Sequence, residues 1–103
     1  MRLLILPVLS LSLFITGCLA ADPITQGRNK STVCASCHGK TGKADLPIYP
    51  NLAGQNALYI EMTLKAYRDE SRKGAQASAM YAIAQGLSDE DISHLAAYYA
   101  SLK

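Results

Sequence analysis

The 103-residue chain reads as all-α. Three observations predict this class. Apolar residues recur at helical spacing in separate segments, no segment shows the two-residue alternation of a strand, and Gly and Pro collect in one long loop rather than in evenly spaced turns.

The first segment is a leader. Arg2 precedes an apolar run, Leu3 to Ile15, that is broken by Pro7 and Ser10 and ends near Leu19, short of the roughly 20 clean apolar residues a membrane span needs. Residues 1–20 therefore read as an export signal and residues 21–103 as one small domain. Ile15-Thr16-Gly17-Cys18 also resembles a lipobox, in which Cys18 becomes the acylated first residue. Cleavage after Ala20 would instead discard Cys18. Either route puts the domain in a bacterial periplasm, lipid-anchored in the first case and soluble in the second. Without the leader, nine Lys/Arg stand against eight Asp/Glu, a net of +1. A nucleic-acid binder would carry a larger basic excess.

Ile24 to Ala35 has apolar or small residues at Ile24, Gly27, Ser31 and Cys34 and reads as a short helix. His38 to Gly54 contains Gly39, Gly42, Pro47, Pro50 and Gly54 among polar residues, which is loop chemistry. A loop this long in so small a domain is usually functional. From Gln55 or Asn56 to about Arg72, Ile60, Leu64 and Tyr67, with Ala57 and Thr63 offset, form an amphipathic helix. Lys73 to Ala79 is a small, polar connection that closes at Met80, before a stretch without strong periodicity. Ser88 then opens the last helix: its hydroxyl can cap the Asp91 amide, and Asp89, Glu90 and Asp91 favour the positive end of the helix dipole. Ile92, Leu95, Ala96, Tyr99 and Leu102 form its buried stripe, and Lys103 suits its negative end.

A domain of this size gains only marginal stability from a hydrophobic core, so a staple is expected. Cys34-Ala35-Ser36-Cys37-His38 supplies one. In the Cys-x-x-Cys-His pattern, two thiols a helical turn apart add across the porphyrin vinyl groups, and the adjacent imidazole is held over the iron. Two other chemistries share parts of the pattern. A thioredoxin-like Cys-x-x-Cys wants a strand before it, and none is offered. A zinc site wants four ligands, and only His94 could join Cys34, Cys37 and His38.

With His38 as one axial ligand, the second must come from His94, Met62 or Met80. His94 falls off the apolar stripe and reads as a solvent-exposed helix histidine. Met62, mid-helix beside Glu61, reads as a core gap-filler. Met80 follows a flexible small-residue connection that lets its thioether reach the face opposite His38.

These blocks resemble a known family. Cys34 to Gly39, Tyr49-Pro50-Asn51-Leu52-Ala53-Gly54-Gln55, Met80-x-x-Ile83-Ala84 with Leu87 to Ile92, and Leu95 to Tyr99 are similar to a class I cytochrome c. More narrowly, they resemble a single-haem relative of the cytochrome c4 and c553 group, over about Gln26 to Leu102. The resemblance implies a small cytochrome c fold, three to four short helices around one covalent haem c. Cys34 and Cys37 would be the thioether anchors, and His38 and Met80 the axial iron ligands. It implies that Gly27 lets the first helix cross the last closely near Tyr98 and Tyr99, and that a prolyl carbonyl, Pro47 or Pro50, accepts the Nδ1 proton of His38. Only one haem motif is present, which excludes transfer between two haems within the chain.

With both axial positions filled, the iron has no site for a substrate, so the expected role is a monomeric periplasmic electron shuttle and not an enzyme. Its partners would be redox proteins of a respiratory chain: a membrane oxidase, a reductase or a dehydrogenase. Lys40, Lys43, Arg72 and Lys73 are candidates for a basic rim facing acidic partners. Tyr67, Arg68, Asn51 and Gln55 are candidates for bonding haem propionates. The alternatives are a haem subunit of a larger oxidoreductase complex and, if Met80 is unbound, a gas-binding or peroxidase-type haem protein.

Overall fold

The computed structural model describes residues 21–103, together with Leu4, Ser10, residues 12–15 and Gly17. Most of the expected export signal, and Cys18 with it, lies outside the described residues. Five helices follow in order: α1 (Pro23–Lys30), α2 (Thr32–His38), α3 (Ala57–Arg68), α4 (Ala77–Ala84) and α5 (Asp89–Ser101). No strand occurs among the described residues, so the all-α class holds. The helices number five, against the expected three to four, for two local reasons.

The first is Ser31. Asp22 caps α1 by accepting from the Thr25 amide (3.0 Å) and hydroxyl (2.8 Å), and Pro23 stands at the first helical position, where its missing N–H costs nothing. The helix expected over 24–35 is interrupted where the Ser31 hydroxyl donates to the Arg28 carbonyl (2.7 Å). The Ser31 amide is shared between the Gly27 and Arg28 carbonyls, at 2.9 and 3.2 Å. The chain tightens for one residue, as side-chain competition for backbone groups allows, and restarts as α2. That second helix runs on to His38 and ends on Gly39, whose φ of 85° is open to glycine.

The second is α4. Residues 77–84 were expected to continue the irregular connection, but Ala77-Ser78-Ala79-Met80-Tyr81-Ala82-Ile83-Ala84 is helical. Alanine's high helix propensity and the burial of Ala77 and Ala84 against the fold outweigh the weak apolar period. Met80 thus sits inside a helix and does not close a flexible loop.

Asn56 caps α3 by accepting from the Tyr59 amide (3.1 Å). The helix stops at Arg68, short of the expected Arg72, because Glu70 turns left-handed (φ 57°) and the Ser71 and Arg72 amides fold back onto the Ala66 carbonyl at 2.9 and 3.2 Å. The expected start of α5 is present as a reciprocal box: the Asp91 amide donates to Ser88 Oγ and the Ser88 amide to Asp91 Oδ2, each at 3.0 Å. Ser88→Ala should cost about 1 kcal/mol, read as a lower midpoint in chemical denaturation. Lys103 lies beyond the last turn, since α5 ends at Ser101.

α5 is the hub. Both α1 and α3 pack on it, α2 is attached through α1, and α4 packs on α3. The core consists of Ile60, Leu87, Ile92, Leu95, Ala96, Tyr98 and Tyr99, with Cys34, Leu52, Ala57, Leu64 and Leu102 packed against it. The α1–α5 crossing is close enough to need glycine: a Cβ on Gly27 would lie 2.0 Å from the His94 carbonyl oxygen and 2.6 Å from Tyr98 Cβ. The crossing expected near Tyr98 and Tyr99 is therefore centred on His94 and Tyr98.

Candidate functional site

Cys34, Cys37 and His38 all lie on α2, so the two sulfurs are three residues, close to one helical turn, apart. Both thiols are free. Cys34 is half-buried against the core, and Cys37 is exposed. Burial pushes the Cys34 thiol above its ordinary pKa.

His38 is buried, and its ring has one firm polar contact. Nδ1 lies 2.8 Å from the Pro50 carbonyl oxygen. A carbonyl only accepts, so Nδ1 is the donor in this contact, and Nε2 is the ring atom left for a metal. Of the two prolines considered, Pro50 is the partner. The loop from 39 to 55 puts it there: the Gly42 carbonyl accepts from the Leu52 and Ala53 amides at 2.7 and 3.0 Å, and Asn51 Oδ1 accepts from the Ala44 amide at 2.8 Å. The Gly54 amide, donating to the Tyr99 carbonyl at 2.9 Å, pins the loop end to α5. Tyr49 packs edge-on against the His38 ring, with centroids 6.4 Å apart. Neither Tyr49 nor Pro50 is distinguishable from ordinary loop residues by type alone.

The rival ligands are placed differently from expectation. His94 is not solvent-exposed: it is largely covered at the α1–α5 crossing, with 20 % of its side chain accessible and Nε2 3.9 Å from Glu90 Oε1. Met62 is not core, being 62 % exposed. It stands two residues from the buried Ile60, about 200° around the helix. Met80 is half-buried on α4. Among the described residues, no three His, Cys, Asp or Glu side chains are grouped to hold a metal ion, which leaves the zinc alternative without support.

Do these residues fit a haem? The two free thiols on one helical turn and His38 Nε2 beside them are the donor set that the group requires. Outside the leader, Val33, Leu46, Ile48, Leu58, Tyr59 and Met62 are exposed to the extent of 47–65 %, an excess of apolar surface for a domain whose only large, fully buried side chains are Ile92 and Leu95. The Tyr99 hydroxyl is buried beside Cys34 and Ser31 without a hydrogen bond of good geometry. Burial foremost, and then the neighbouring Cys34, push its pKa up, so it stays a neutral donor. The residues fit. Two shallow clefts on the outer flank of α2, one along Gly39 to Asp45 and the other between Arg28, Lys40 and Tyr98, are lined by neither His38 nor Met80.

The residues considered for propionates have local partners. Arg68 donates to the Leu87 carbonyl (3.1 Å) and to Asp89 (2.6 Å), and Gln55 Oε1 accepts from the Asn56 amide (2.9 Å). Asn51 holds the loop, and Tyr67 lies under Arg72 and beside Tyr81. The basic rim also divides. Arg72 and Lys73 are engaged with tyrosine side chains, whereas Lys40 and Lys43 flank the α2 turn and form no ion pair among the described residues.

The Cytochrome c family model matches residues 26–103. Cytochrome c-554(548) of Halomonas halodenitrificans is 56 % identical over 81 residues, which span 79 % of this chain and 98 % of that protein. Cytochrome c4 of Pseudomonas aeruginosa is 36 % identical over 92 % of this chain but 46 % of its own length, so the chain spans about half of that relative. The thiosulfate dehydrogenase electron acceptor of Stutzerimonas stutzeri is 36 % identical over 67 % of this chain and 32 % of its own. In three dimensions, reduced recombinant cytochrome c4 from Pseudomonas stutzeri superposes with a TM-score of 0.69 at 29 % identity, over 79 % of this chain and 48 % of that one. Sequence, helix order and the His38 turn therefore converge: the chain belongs to the cytochrome c family, as a class I cytochrome of the c4-like group.

Proposed function

We propose that this chain is a periplasmic one-electron carrier in which Cys34 and Cys37 hold a single haem through thioethers, with His38 Nε2 and the Met80 sulfur as its axial ligands. The observation that carries this reading is the His38 ring, held by Pro50 through Nδ1 so that Nε2 is left for a metal, on the same turn as two free thiols. The haem, when bound, supplies a reversible ferric/ferrous couple. The protein's part is to anchor, orient and shield. Thioethers at Cys34 and Cys37 would prevent its loss, the Pro50 carbonyl orients the His38 imidazole, and a Met80 thioether ligand would favour ferrous iron and raise the potential. With His38 and Met80 both holding the iron, no coordination site would be left for substrate chemistry, and the chain would act as a carrier and not an enzyme.

Export rests on the Arg2-led apolar leader; among the described residues, no helix is long and apolar enough to cross a membrane. A dehydrogenase as electron donor is supported by the relative whose name makes it such an acceptor. Lys40 and Lys43, beside the haem motif, are the charges available for steering an acidic redox partner into a weak, short-lived complex.

Met80→Ala tests the ligand assignment. The variant should keep its covalent haem, lose the far-red sulfur-to-ferric-iron absorption, and show a lower potential by a sizeable part of the roughly 0.8 V that axial ligands command. An unchanged far-red band would remove Met80 from the iron.

A further inference from the structure

The turn between α3 and α4 carries a cluster that the haem motif does not explain. Glu70 adopts a left-handed conformation (φ 57°) without being glycine, Asn or Asp. Such strain persists only where the surroundings over-determine it. Here they do. The Glu70 amide donates to the Tyr67 carbonyl (3.0 Å), and Lys73 Nζ donates to the Glu70 carbonyl (2.6 Å). Arg72 then folds back along α3. Its Nη1 donates to Thr63 Oγ1 (3.2 Å) and Tyr59 Oη (3.3 Å), and its guanidinium lies 5.1 Å from the centre of the Tyr67 ring.

From the other side comes Tyr81. Its hydroxyl donates to the Arg72 carbonyl, its ring packs at 6.2 Å on Tyr67, and Lys73 Nζ sits 5.9 Å over it. Tyr81, Ala77 and Ala84 share the face that α4 turns toward α3, and Tyr81 is the immediate neighbour of Met80. The strained turn, the Arg72 side chain and the Tyr81 hydroxyl thus meet one residue from the sulfur assigned to the iron.

We propose that Arg72 and Tyr81 form a clasp that positions Met80: by tying α4 to the C-terminal end of α3, it holds the thioether at the iron. Neither residue touches the iron, so both are positioning residues. The proposal rests on the ligand assignment above. Its physical content is an equilibrium. A helix of eight residues is too short to be stable alone, so α4 keeps its place only through its contacts. Loosening them raises the fraction of molecules with Met80 off the iron, and an exogenous ligand samples that fraction.

Carbon monoxide binding to the ferrous holoprotein reads it directly. Tyr81→Phe removes one hydrogen bond and should raise the binding rate about two- to tenfold, the range of one net hydrogen bond. Arg72→Gln removes two hydrogen bonds and a cation–ring contact and should do at least as much. Arg72→Lys, keeping the charge, should fall between Arg72→Gln and the parent. Asp22→Ala is the control: it destabilises the fold by removing the cap of α1, which packs on α5, and should leave the rate unchanged.

Equal carbon monoxide rates in the parent, Tyr81→Phe and Arg72→Gln, while Met80→Ala binds at once, would overturn the clasp and spare the ligand assignment. A rise in Asp22→Ala matching that in Tyr81→Phe would also overturn it, as general loosening. A parent that already binds as fast as Met80→Ala would overturn the ligand assignment, and the clasp with it.

Discussion

Replacing Cys34 and Cys37 together by alanine should yield a chain without stable helices at room temperature. The reason lies in how little the polypeptide buries for itself. Its core is seven residues, of which only Ile92 and Leu95 are both large and fully enclosed. The α2 helix hangs on α1, α4 hangs on α3, and neither packs extensively on the other. Val33, Leu46, Ile48, Leu58, Tyr59 and Met62 remain exposed, apolar area that a covalently held ring could cover. Burial contributes roughly 25 cal/mol per Å², so leaving this surface wet forfeits several kcal/mol in a domain near the size limit for independent folding. Far-ultraviolet circular dichroism should show the loss, and a cooperative thermal transition close to that of the haem-loaded protein would refute it.

The elements that were legible in the sequence are those decided within a turn or two of chain. Cys34, Cys37 and His38 share a helix because three and four residues span one turn. Ser88 and Asp91 close their box across three residues, and Asn56 caps Tyr59 over the same distance. What could not be read locally depends on distant partners or on competing weak preferences. The choice of Pro50 over Pro47 follows from a loop path set by the Gly42 carbonyl and the Asn51 amide group. Ser31 splits one expected helix into two because its hydroxyl competes for the Arg28 carbonyl, a choice serine does not announce by type. Helix α4 was hidden because alanine gives a strong helix propensity and a faint apolar period at once. Arg72 and Lys73 read as free surface charge, and only the fold shows them stacked on Tyr67 and Tyr81.

Gly27→Ala should be the most damaging single substitution outside the haem motif. In an isolated helix the change would help, since alanine is favoured over glycine by up to about 1 kcal/mol. In this fold the new methyl would meet the His94 carbonyl oxygen at 2.0 Å and Tyr98 Cβ at 2.6 Å. A backbone carbonyl in the middle of α5 cannot step aside as a flexible side chain can, so α1 must separate from α5. That contact is the most extensive between helices in the molecule, and α2 is attached through α1. Overpacking of this kind typically costs 1–3 kcal/mol, and here a net loss of at least about 2 kcal/mol is expected. For a domain of this size that corresponds to a Tm lower by roughly 8–16 °C. A Tm equal to or above that of the parent would show that the crossing is looser than the structure has it. The same separation would move α2, so the far-red band should also weaken.

In the matured protein the iron is expected to have two side-chain ligands and no open position. The most direct test is the absorption spectrum of protein matured in a periplasm, recorded oxidised, reduced, and reduced under carbon monoxide. The expected result is a c-type spectrum with the far-red sulfur band in the oxidised state and, in the reduced state, at most a slow and partial response to carbon monoxide. A rapid, complete shift under carbon monoxide, with no far-red band beforehand, would contradict it. Such a result would make the protein a ligand-binding haem protein, not an electron carrier.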